Sequence, residues 1–138
     1  MVAYDRAMDV SYQWRGNFEN VEVNALHAEG FGHPPFDDDW MGRVQRRSLG
    51  WVCARDGDQL VGFVNVPWDG GIHAFIIDTL VSVRARRQGI GTRMIALATE
   101  KTRSAGCVWL HADFAEDLTV FYVDACGFVA TPAGLIAL

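Results

Sequence analysis

The chain has no apolar run approaching the ~18 residues that a membrane span requires. Its first twenty residues are interrupted by Asp5, Arg6, Asp9, Arg15 and Glu19, so no secretory leader is expected. Only three cysteines occur, Cys53, Cys107 and Cys126, far apart and without a CxxC pair. That spacing argues against a disulfide frame or a zinc site, and for small hydrophobes in a reducing, cytoplasmic compartment. No metal is therefore expected. Low-complexity tracts, internal repeats and linkers are absent as well, which leaves 138 residues as one domain with a sizeable core.

Half the residues are apolar and 21% are charged, the balance of a globular protein. The net charge of −5 is unevenly placed. Residues 84–103 hold Arg84, Arg86, Arg87, Arg93, Lys101 and Arg103 against Glu100 alone, so the remainder carries about ten excess negative charges. A body this acidic does not suit a nucleic-acid backbone, whereas one basic segment suits a small polyanionic ligand. A solvated, arginine-bearing helix face would give the same charge pattern.

Periodicity and turn residues give an alternating order of elements. Residues 9–15 alternate as a strand, and Asn17 caps a helix expected to end at Gly30. Gly32-His33-Pro34-Pro35 is a loop, and Asp37-Asp38-Asp39 opens a helix from Trp40 to about Leu49. Trp51–Arg55 and Gln59–Val66 flank Asp56-Gly57-Asp58 as a hairpin. Ile72–Val83 is the longest β-prone run, followed by a helix over 89–105 and a strand over Cys107–Asp113. Asp113 and Glu116 suggest a capping box for a helix ending at Gly127, and Gly134–Leu138 a last strand, within this sheet or across a homodimer. The pattern predicts an α/β (α+β) fold, a mixed, partly antiparallel sheet of six to seven strands with about four helices. The helix over 89–105 makes strands 72–83 and 107–113 parallel neighbours.

The strongest chemical signal is Arg86-Arg87-Gln88-Gly89-Ile90-Gly91-Thr92, between a strand and an amphipathic helix. Two glycines one residue apart let the backbone turn tightly, and the following helix start offers unpaired N–H groups and a positive dipole end. Together with Arg86, Arg87 and Arg93 this suits a pyrophosphate. No Gly-Lys pair exists for a Walker A loop, and Met94 stands where a dinucleotide fingerprint needs its third glycine. The segment resembles the Arg/Gln-x-x-Gly-x-Gly/Ala loop of the GNAT superfamily of acyl-CoA-dependent N-acyltransferases. Thr79-Leu80-Val81-Ser82-Val83 is similar to the strand with which that family pairs the pantetheine arm. Phe121-Tyr122 followed by Gly127-Phe128 resembles its helix-to-strand signature, with one extra residue before the glycine. Residues 51–128 carry the likeness, leaving 1–50 as a variable acceptor-binding part. Three positions depart from the family pattern: Val83 replaces a common proline, Arg87 a frequent glycine, and Ala115-Glu116 an asparagine that bonds the cofactor.

The resemblance implies acetyl-CoA as co-substrate, held by Leu80, Val81, Val83, Arg86, Arg87, Gln88, Gly89, Ile90, Gly91 and Thr92. It implies direct acetyl transfer to a primary amine, on a small molecule or a peptide, with no nucleic acid or membrane involved. Tyr122 is the expected acid for the departing thiolate, and a backbone N–H near Leu80 or Val81 the expected oxyanion donor. His111 is the expected base, with Asp113 on the same strand face to orient it or bind a cationic amine. Asp78, a carboxylate in an apolar strand, is a second candidate base. Trp68, Asp69 and His73 border the acceptor pocket or simply form a corner, while His27 and His33 read as surface residues. A catalytically silent acyl-CoA sensor would keep the loop and dispense with Tyr122 and His111.

Overall fold

The computed structural model describes residues 8–138. Strand β1 (Val10–Trp14) precedes helices α1 (Asn20–Phe31) and α2 (Trp40–Arg47). The long hairpin β2 (Ser48–Asp56) and β3 (Gln59–Pro67) follows, then β4 (His73–Phe75) and β5 (Ile77–Val81). Helix α3 (Ile90–Ser104), strand β6 (Trp109–His111) and the short wide-turn π helix α4 (Val120–Ala125) complete the chain. An antiparallel sheet runs β1-β2-β3-β5, and β4 pairs with β6 in parallel. The fold is therefore the expected mixed α+β sheet flanked by helices.

Strands β2 and β3 are apolar almost throughout because helices cover both of their faces. Side-chain alternation sorts β2 between two cores. Val52 and Ala54 pack with Val64, Val66, Met94, Ile95 and Ala98 beneath α3. Trp51 and Cys53 pack with Phe18, Val23, Leu26, Trp40, Val44 and Phe63 beneath α1 and α2. Gly62 keeps the sheet thin at one place: a Cβ there would stand 2.9 Å from Met94 Sδ. The hydrophobic effect acting on both faces fixes the register, since a one-residue slip would exchange the two sets.

Several boundaries differ from the sequence reading. Helix α1 starts under a reciprocal Glu19–Glu22 capping box rather than at Asn17. It runs past Gly30 to a left-handed Gly32 (φ 68°). The Ile72–Val83 run is two strands, β4 and β5, with different partners. The segment after β6 is not one α-helix. Its first turn (Glu116–Leu118) begins after Ala115 with no side-chain cap, so the expected Asp113–Glu116 capping box does not form, and α4 is under-wound. The extra residue before Gly127 explains the winding: Cys126 N–H reaches five residues back to Phe121 O, at 2.9 Å. Gly134–Leu138 is exposed and forms no strand.

Phe63 is fully buried and meets Phe18 and Trp40 edge-on, at centroid distances of 5.3 and 5.9 Å. Phe63→Ala empties the centre of the α1–α2 core, so urea unfolding should show a loss of about 3–5 kcal/mol.

Candidate active site between the parting strands

The sheet opens where the 72–83 run changes partner. Ile76 N–H donates to His111 O at 2.7 Å, and beyond that bond β5 pairs with β3 alone. The register steps from Phe63↔Leu80 to Asn65↔Ile77, so three steps along β5 span two along β3. Asp78 lies within this bulge with φ 54°, a left-handed conformation that aspartate tolerates better than branched residues. The bulge turns β5 away from β6, and its outer edge is left without a strand partner among the described residues. Ser82 N–H donates to Val61 O at 2.8 Å. Strand alternation then aims the Leu80 N–H at β3 and the Val81 N–H at the open edge, the position an oxyanion donor needs.

The basic loop continues from that edge. A single helical turn over Val83–Ala85 leads to Arg86, then Arg87 at φ 63° and Gly89 at φ 75°. Arg87 thus takes up the left-handed backbone for which glycine is the usual choice. A Cβ on Gly89 would meet nothing within 4 Å, so its requirement is conformational; one on Gly91 would stand 3.0 Å from the Phe121 ring. Helix α3 begins with no side-chain cap, which leaves its first N–H groups and dipole end available to an anion. Arg86, Arg87 and Gln88 are exposed around this turn, and Thr92 is half-buried in the first turn of the helix. Ile90 is core, so it offers only its backbone. Arg84 is tied back to Gln59 (2.7 Å) and Asp56 (3.6 Å). Val83 N–H is held by the Glu29 carboxylate of α1.

Tyr122 reaches across from α4. Its phenol donates to Thr79 Oγ1 at 3.2 Å, its ring stacks on Phe114 at 4.7 Å, and burial pushes its pKa up. A raised pKa keeps the phenol protonated, the state an acid must start from. Cys126, bonded to Thr92, is likewise held in its thiol form by burial.

His111 stands where the strands part, on an exposed face. Its Nε2 lies 2.8 Å from His73 Nδ1, and its ring stacks on Phe75 at 4.8 Å. Asp113 is exposed and Trp68 half-buried. Asp69 accepts from Gly71 N–H and His73 N–H, and so shapes a turn.

Across the cleft, Asp78 is joined by the two histidines that read as surface residues. Both are half-buried. His27 Nε2 lies 3.8 Å from Asp78 Oδ1, and His27 Nδ1 lies 2.7 Å from His33 Nε2. Asp78 stood out as a charge in an apolar strand. His27 and His33 carried no comparable signal, because the register of α1 over the bulge brings together residues about fifty positions apart. Among the described residues no group of three or more His, Cys, Asp or Glu is placed to hold a metal ion, and no helix is long and apolar enough to cross a membrane.

Comparison with known proteins bears on this arrangement. Over 58 residues the chain is 34% identical to a mycothiol acetyltransferase of Rhodococcus erythropolis, a match covering 42% of this chain and 19% of that protein. A crystal structure of a putative acetyltransferase from Deinococcus radiodurans superposes with a TM-score of 0.71 at 26% identity, over 94% of this chain and 88% of that one. An aminoglycoside N-acetyltransferase in complex with CoA shares the fold, with a TM-score of 0.72 at 17% identity over 97% of each chain. The family model described as Acetyltransferase (GNAT) family matches residues 12–128, from β1 through the cleft to the residue after Gly127, and this chain belongs to that family.

Proposed function

We propose that this protein transfers an acetyl group from acetyl-CoA to a primary amine, on a small molecule or a peptide, by direct attack in a ternary complex. One observation carries the reading. A strand edge without a strand partner among the described residues, that of β5, runs from the Tyr122–Thr79 contact to an uncapped helix start preceded by a left-handed glycine. The edge suits the amides of a pantetheine arm, and the helix start with Arg86, Arg87 and Gln88 suits its pyrophosphate.

Each end of the cleft then has a task. The Val81 N–H polarises the thioester carbonyl as charge develops on its oxygen. Tyr122, kept neutral by burial, gives its proton to the departing sulfur. The amine enters between α1 and β6, where His111 and His73 border one side and Asp78 the other. Of the two candidate bases the geometry favours Asp78. The Nε2 of His111 is already paired with His73, whereas Asp78 is half-buried within the bulge that opens the cleft.

Gly89→Glu adds a strained left-handed side chain and a negative charge where the pyrophosphate would sit. Calorimetric titration should show acetyl-CoA affinity falling by about tenfold or more, some 1.4 kcal/mol, with the fold intact by circular dichroism. Tyr122→Phe should bind acetyl-CoA as the wild type does, yet turn over amines about 10²-fold or more slowly. Undiminished turnover would remove the phenol from the reaction. Tight acetyl-CoA binding with no turnover of any amine by the wild type would mark an acyl-CoA sensor.

A further inference from the structure

We propose that Glu29 is a positioning residue for the donor: by holding the Val83 N–H it fixes the angle at which the basic turn leaves the open edge of β5. This rests on the acetyl-CoA reading of the cleft and adds to it a residue of α1, on the opposite wall.

Glu29 stands where its own helix disfavours it. It lies in the last turn of α1, at the negative end of the helix dipole, and that turn holds no basic residue. It is exposed, so burial does not explain it either. What the position offers is reach. The end of α1 lies over β5, close enough that a Cβ on Gly30 would stand 3.5 Å from Leu80 Cδ2. From there Glu29 Oε1 accepts the Val83 N–H. Val83 opens the single helical turn, and the first N–H groups of such a turn have no partner within it.

The peptide between Ser82 and Val83 joins the two parts of the donor site, the open edge with its Val81 N–H and the basic turn. It is held from several sides. The Ser82 N–H donates to Val61 O of β3 at 2.8 Å, the Ala85 N–H donates to Ser82 O at 2.9 Å, and α1 supplies Glu29. Val83 O accepts from the Arg86 N–H at 3.3 Å, so the held residue also sets where the turn begins. A ligand that must lie along the edge and reach the turn at once gains affinity when their mutual angle is fixed beforehand.

The backbone here already has the shape that a proline would impose. Ser82 is extended (φ −53°, ψ 138°), as a residue before proline is. Val83 occupies the first position of a helical turn, where the ring of proline fits and its missing N–H is not needed. This is the position at which the GNAT pattern commonly has proline, and this chain replaces that covalent constraint by a hydrogen bond from α1. The exchange places a carboxylate near the site of a polyanion, a negative charge that Arg86 and Arg87 oppose.

The test uses the full chain, calorimetric titration with acetyl-CoA, and turnover of spermidine, tyramine and sisomicin. Glu29→Gln and Glu29→Ala both remove the charge, and only the first keeps an acceptor, so their comparison isolates the hydrogen bond. Glu29→Gln should bind acetyl-CoA at least as tightly as the wild type, and Glu29→Ala about fivefold more weakly than Glu29→Gln. KM for acetyl-CoA should follow that difference while kcat differs by less than about twofold, a split that a general loss of structure would not give. In a Val83→Pro background the ring sets the turn and no N–H remains to be held, so there Glu29→Gln and Glu29→Ala should bind alike. Hydrogen exchange at the Val83 amide should be about tenfold slower in Glu29→Gln than in Glu29→Ala. Equal affinities of Glu29→Gln and Glu29→Ala would overturn the assignment, as would a difference that persists undiminished in the Val83→Pro background, or a loss confined to kcat. A wild type that binds no acetyl-CoA would overturn the acetyl-transfer reading and the assignment with it.

Discussion

The change of strand partner between Ile76 and Asp78 organises the rest of the molecule. Had the 72–83 run stayed paired with β6, the sheet would be continuous and closed, with no edge to offer a ligand. Instead Ile76 N–H makes its bond to His111 O, one extra residue enters β5, and the run turns to β3. The same bulge opens the cleft, exposes alternate backbone amides and swings Asp78 out of strand alternation toward α1. Backbone strain of this kind costs of order 1–3 kcal/mol. The surrounding sheet holds it, since β3 is buried along nearly its whole length.

Two cores make that strain tolerable while serving different parts of the site. The core under α3 is continuous with Tyr122, Phe114 and Phe128, and so fixes the phenol against Thr79 and the uncapped helix start against β5. The core under α1 and α2 contains Trp40, Leu26 and Leu80, and so sets the height of His27 above the bulge. The Tyr122–Thr79 contact and the His27–Asp78 pair are thus supported by separate sets of apolar contacts on opposite faces of one sheet.

The legible parts of the sequence were those written locally. The hairpin β2–β3 announced itself through Asp56-Gly57-Asp58 between apolar runs, and the basic loop through glycine spacing ahead of an amphipathic helix. Both are short-range rules in which neighbours along the chain decide the conformation. The break at Ile76 was not legible, because Ile72–Val83 is uniformly β-prone and nothing in its own composition says that it must change partners. The under-winding of α4 was foreshadowed by the extra residue before Gly127, yet its hydrogen-bond pattern depends on how Tyr122 and Phe121 pack. The Asp78–His27–His33 association was hidden for a third reason: α1 and β5 are far apart in sequence, and each histidine alone has an ordinary surface context.

The cations at the start of α3 are all arginines, Arg86 and Arg87 before the turn and Arg93 after it. A guanidinium keeps its charge at every pH a cell experiences. The positive charge that this turn offers to an anion is therefore constant across that range. A guanidinium is also a feeble nucleophile, so Arg86, Arg87 and Arg93 add charge to this turn without adding a side-chain amine that an acylating group could modify.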